Sequence, residues 1–99
     1  MIARIWRGAV PLSKAEKYLH LMNTIALPEY RATQGNRGAW CLHHTELNQL
    51  HIQMLTFWED VESIKRFAGE DYTKAKYYDF DPDYLIEMEP LVQHYAVSA

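Results

Sequence analysis

Ninety-nine residues allow one small domain with one thin core, expected here over residues 1–99, and a composition of 48% hydrophobic and 23% charged excludes a disordered chain. A net charge of −3 provides no pull toward phosphate backbones, so nucleic acid is not an expected partner. No apolar run approaches the length of a membrane span, the two arginines among residues 1–7 do not suit a signal peptide, and the single Cys41 forbids an internal disulfide; the expectation is a cytoplasmic protein with no membrane partner.

Ile2, Ile5, Trp6 and Val10 mark a first strand over residues 2–9, which Pro11 ends. Residues 13–16, Ser-Lys-Ala-Glu, have the form of a capping box. Behind it, Ala15, Tyr18, Leu19, Met22, Ile25 and Ala26 follow the stripe of an amphipathic helix, and Pro28 is expected to end or kink that helix near Leu27. Gly35 and Asn36 supply turn chemistry.

Residues 38–45 and 50–58 read as a hairpin around Leu47 and Asn48. That centre sets Trp40 opposite Leu55, Leu42 opposite Gln53 and His44 opposite His51. The second hairpin strand carries Leu50, Ile52, Met54, Thr56 and Trp58 on one face, and His51, Gln53, Leu55 and Phe57 on the other. Both faces are apolar toward the C-terminal end, whereas a sheet covered on one side only should be polar on the other. A second copy of the chain is the expected cover.

Asp60 can cap a second helix with Val61, Ile64, Phe67 and Ala68 on its apolar side and Gly69 just past its end. Asp71 offers a start for a short helical segment over residues 72–78, whose tyrosines could form a lid. Residues 79–83 read as a loop, and residues 91–97 as the last strand. The order strand, helix, strand, strand, helix, strand is the split βαβ pattern of ferredoxin-like α+β folds, with a four-stranded antiparallel sheet and both helices on one face.

The chain resembles the dimeric α/β-barrel proteins grouped with the antibiotic biosynthesis monooxygenases. The resemblance spans nearly the whole chain. It is carried by the opening Met-Ile-Ala-Arg-Ile-Trp-Arg-Gly, by Leu-Pro-Glu-Tyr-Arg at residues 27–31 and by Gly-Asn-Arg-Gly at residues 35–38. Phe-Trp-Glu-Asp at residues 57–60, Phe-Ala-Gly-Glu-Asp at residues 67–71 and Glu-Pro-Leu-Val-Gln-His-Tyr at residues 89–95 complete it. It implies a homodimer and a cofactor-independent monooxygenase acting on a small phenolic or polyketide-like aromatic molecule. Haem-degrading members of the group use an asparagine, a tryptophan and a histidine at positions that fall at or near Trp6, Phe67 and Tyr77, and none of the three matches.

Within that frame His94 is the candidate base and Arg4 the candidate charge stabiliser, because a histidine near a permanent cation and aromatic rings can take a proton while the cation holds the anion formed. Arg4 could instead pair with Glu87 or Glu89, and His94 could be a hydrogen-bonded core residue. Trp6, Trp58, Phe67, Tyr77 and Tyr78 are the candidate substrate-binding residues, although aromatics at such spacing more often fill a core. His43, His44 and His51 share the hairpin but read as solvated surface residues, so no metal site is expected. Cys41 reads as a small buried residue. The alternative function is a non-catalytic barrel protein that binds a small molecule or haem.

Overall fold

The computed structural model describes all 99 residues, Met1–Ala99. The chain runs β1 (Ile2–Pro11), α1 (Ala15–Leu21), a π-helical segment (Met22–Ala26), α2 (Leu27–Ala32), β2 (Asn36–Glu46), β3 (Gln49–Trp58), α3 (Val61–Ala68) and β4 (Gln93–Ala96). The four strands form one antiparallel sheet in the order β2-β3-β1-β4. This is the expected ferredoxin-like arrangement, with α1, its π-helical continuation and α2 making one long helix and α3 the other. No helix is long and apolar enough to cross a membrane.

The hairpin register is the one that its centre at Leu47 and Asn48 dictates: Trp40 pairs with Leu55, Leu42 with Gln53 and His44 with His51. Leu47 takes the turn's positive φ of 55°. Burial then alternates along β3 without a break, with Leu50, Ile52, Met54, Thr56 and Trp58 buried and the residues between them half-exposed. Pairing carries the same phase into β1, so Arg4, Trp6 and Val10 join the covered face. Tyr18, Met22, Ala26, Leu27 and Tyr30 press down on it from the long helix, and Ile64 and Phe67 from α3.

The other face has no cover. Trp40, Leu42 and Tyr95 stand there about half-exposed, at 48%, 47% and 49%, beside the partly buried Ile5, Leu55 and Phe57. Trp40 and Phe57 meet edge to face at 5.8 Å.

Four expectations are corrected. Ser13 caps nothing: residues 12–14 wind into a 3-10 turn, and the helix starts behind Lys14 with no side-chain cap. Pro28 does not end the helix. The ladder widens to π spacing over Met22–Ala26 and continues through Pro28 into α2. Ile25, read as a core position, is 40% exposed because the widened turn rotates it off the stripe. Residues 72–78 form no helix; they run as an irregular strap with one bridge between Lys74 and Leu91, which also shortens the last strand to Gln93–Ala96.

The second helix starts as the sequence implies. The Asp60 carboxylate accepts bonds from the Ser63 amide (2.9 Å) and hydroxyl (2.6 Å), and Gly69 closes the helix with φ 90°.

Candidate functional site

Arg4 and His94 are direct partners in the β1–β4 ladder, so their side chains leave the sheet on the same, helix-covered face. Arg4 is 1% exposed. Neither Glu87 nor Glu89 pairs with it; its Nη2 donates to the Lys74 carbonyl of the strap at 3.2 Å, and its guanidinium lies 5.6 Å from the Phe67 ring centre. Burial lowers its pKa from the ordinary 12.5, and the neighbouring Tyr30 hydroxyl pulls the other way. The same burial pushes Tyr30 up to about 12. The His94 imidazole packs edge-on against Tyr72 at 5.2 Å. Burial, and then the positive charge of Arg4, lower it below its ordinary 6.5, so the ring is neutral at physiological pH.

Three buried side-chain polar atoms have no hydrogen-bond partner: Arg4 Nε, Trp6 Nε1 and His94 Nε2. All three belong to the covered face of β1 and β4. Arg4 and Trp6 are two residues apart on one strand, and His94 stands opposite Arg4. Buried polar groups in folded proteins are nearly always paired, and leaving one unpaired costs about 1–3 kcal/mol. The three residues occupy neighbouring positions of β1 and β4 on the covered face.

Of the five aromatic candidates, three gather near this area, one lies beyond its Trp6 end and one serves the core. Trp6 is 4% exposed and meets Tyr77 edge to face at 6.0 Å. Phe67 stacks on Tyr30 at 4.2 Å and takes the Lys76 ammonium over its ring at the same distance. Tyr78 stacks on Phe80 at 5.2 Å and shares a cavity wall with Trp6, away from Arg4 and His94. Trp58 is fully buried, packs on Tyr30 and Phe67, and donates Nε1 to the Thr56 hydroxyl at 2.8 Å; it is a core residue with its polar atom satisfied.

A small internal cavity of about 10 Å³, one water in size, lies between helix, sheet and strap. Trp6, Met54, Tyr18, Tyr30, Lys76, Tyr78 and Asp81 are among its walls; Arg4 and His94 are not. Two carboxylates at its border escaped the sequence reading. Asp81 is 1% exposed, with one oxygen accepting from Tyr18 Oη (2.8 Å) and the other from the Tyr78 amide (2.7 Å). Burial raises its pKa from 3.8 despite these bonds. Glu29 on α2 accepts from Tyr78 Oη at 2.6 Å and from the Lys76 ammonium. Burial alone would raise Glu29, but those two bonds win and hold it below 4.5. Nothing in the run Asp-Phe-Asp-Pro-Asp singles out Asp81 as the buried one, and Glu29 precedes its partners by nearly fifty positions.

The hairpin histidines lie elsewhere, along an open groove of about 690 Å³ bordered by Arg7, Glu87 and Glu89. His44 and His51 stack at 5.2 Å, and no group of three or more His, Cys, Asp or Glu side chains is arranged to hold a metal ion. Cys41 is half-buried, and burial raises its thiol. Comparison with protein-family models gives no match, and no curated protein matches the chain.

Proposed function

We propose that this protein is a small oxygenase of the antibiotic biosynthesis monooxygenase type, which deprotonates a phenolic or enolisable aromatic substrate and lets the resulting anion react directly with O₂. The reading is carried by the cluster of unpartnered buried atoms, Arg4 Nε, Trp6 Nε1 and His94 Nε2. A substrate hydroxyl would give its proton to the neutral His94, and the oxygen left behind would accept from Arg4 and Trp6 in a site closed to water. The anion then reduces O₂: a ring CH₂ becomes C=O, one oxygen atom is retained and the other leaves as water. Electrons come from the substrate, so the chain needs to supply only a base, a charge stabiliser and a dry cavity.

The reading includes a homodimer formed through the open sheet face. Trp40, Leu42, Leu55, Phe57 and Tyr95 are the apolar residues that a second copy would cover.

A second reading is a non-catalytic carrier of a small aromatic anion, held by the same unpartnered atoms. Oxygen uptake with a panel of naphthols and anthrones separates the two. Turnover that is lost in His94→Ala, with a product that has gained one oxygen and lost two hydrogens, supports the oxygenase. Saturable binding with no oxygen consumed on any compound of the panel supports the carrier.

A further inference from the structure

We infer that residues 76–81 are the movable cover of the small cavity beside Trp6 and that Glu29 is its latch, a positioning residue that sets how fast this end of the ligand site opens. The inference rests on the reading of Arg4, Trp6 and His94 as the ligand site.

The cover is attached in an unusual way. Strap residues flanking it are tied by backbone bonds: Ala75 N to Pro90 O, Val92 N to Thr73 O, and Ile86 N to Ala9 O. Between Ala75 and Ile86 every backbone-to-backbone bond stays inside the strap, as in Asp81 N to Tyr78 O and Leu85 N to Asp81 O. Residues 76–81 are therefore held to the body by side chains alone. Glu29 supplies the polar grip, with one carboxylate oxygen on the Lys76 ammonium and the other on the Tyr78 hydroxyl. Lys76 also donates to the Phe67 carbonyl at 3.1 Å, and Asp81 fastens the far end to Tyr18.

The same residues that are gripped wall the cavity. Lys76, Tyr78 and Asp81 face Trp6, Tyr18 and Tyr30 across a space that holds one water. No aromatic ligand fits in the cavity beside Trp6 until this cover lifts. Side-chain attachment suits such a part, because it opens without breaking the sheet or either helix. Releasing a two-armed, charge-assisted grip should change the opening equilibrium about tenfold or more.

Hydrogen exchange followed residue by residue by NMR, on the full chain without ligand, reads the latch directly. In Glu29→Gln and Tyr78→Phe, the Tyr78 and Asp81 amides should exchange about tenfold faster than in the wild type, while β1 and β3 amides keep their rates. Stopped-flow binding of 2-naphthoate, followed by tryptophan fluorescence, should show a rate that levels off with concentration in the wild type, and a plateau about tenfold higher in both variants. Unaltered exchange at Tyr78 and Asp81 in both variants overturns the latch, as does equal acceleration throughout the sheet or an unmoved plateau. If 2-naphthoate binds neither wild type nor variants, the anionic-site reading fails, and the exchange data alone decide the latch.

Discussion

Arg4 and His94 face each other across the β1–β4 ladder, and each keeps one buried nitrogen that nothing in the chain satisfies. Arg4 has only donors and its charge favours the neutral imidazole, which has one acceptor nitrogen, yet Arg4 Nε and His94 Nε2 do not bond each other. The pair is a cost to the fold that a ligand oxygen would relieve.

The cost has a pH signature. Burial and Arg4 lower the His94 pKa below 6.5, so the unfolded chain binds a proton here that the folded chain resists. The stability this position contributes is present above about pH 6.5 and is lost as the pH falls through the lowered value. Thermal melts between about pH 7 and pH 5 should show the wild type losing melting temperature more steeply than His94→Gln. Equal slopes would place the imidazole in contact with solvent.

Arg4 separates stability from binding. Its charge is buried with a single hydrogen bond and no carboxylate partner. Arg4→Met keeps the length and removes the unsatisfied donor, so stability should hold or rise by about 1–3 kcal/mol. Affinity for an aromatic carboxylate should vanish in the same variant. A large loss of stability in urea titration would show that the guanidinium contacts on Phe67 and Lys74 outweigh its desolvation.

Trp58 should behave as pure core. Truncation to alanine is expected to cost about 3–5 kcal/mol. Trp58→Phe, which fills most of the volume but abandons the bond to Thr56, should cost about 1–2 kcal/mol. Neither change should alter ligand affinity in the protein that remains folded, as read by titration calorimetry below the melting temperature.

The open sheet face gives a mass to measure. Light scattering should report twice the 11.7 kDa of the chain, through an interface above about 1,200 Å². Phe57→Asp, on the uncovered face, should leave the secondary structure intact and halve that mass. A wild-type monomer at micromolar concentration would leave Trp40 and Leu42 without the cover proposed for them.

The strands were legible because period-two alternation is a strong signal when one face is dry. Leu50 to Trp58 shows both the strand and its buried side, and the centre at Leu47 and Asn48 sets the register through which Trp40 meets Leu55. Asp60 was legible as a cap for the same local reason: an oxygen three residues ahead of an amide needs no distant partner. The strap was not legible. Residues 72–78 carry tyrosines and lysines at spacings that suit a helix, but their partners are Glu29, Phe67 and Pro90, and contacts across the fold outweigh local preference. The site was legible in part. Arg4 and His94 could be singled out as odd residues on apolar strands; that they stand opposite each other depends on a register that only the folded sheet fixes.

The widened turn at Met22–Ala26 gives the long helix one residue more than its regular phase needs. Tyr18 and Tyr30 both face the sheet although they are twelve residues apart, a spacing that regular α-helical geometry would leave about 120° out of phase. The extra residue absorbed by the wide turn restores the phase. Deleting Thr24 removes that extra residue: the helix becomes regular, Tyr18 and Tyr30 stand only about 20° out of phase, and Tyr30 keeps its place on the sheet with Glu29 beside Tyr78. A one-residue deletion within this wide turn should therefore disturb the core far less than one in a regular helix, where every later residue is turned by about 100°.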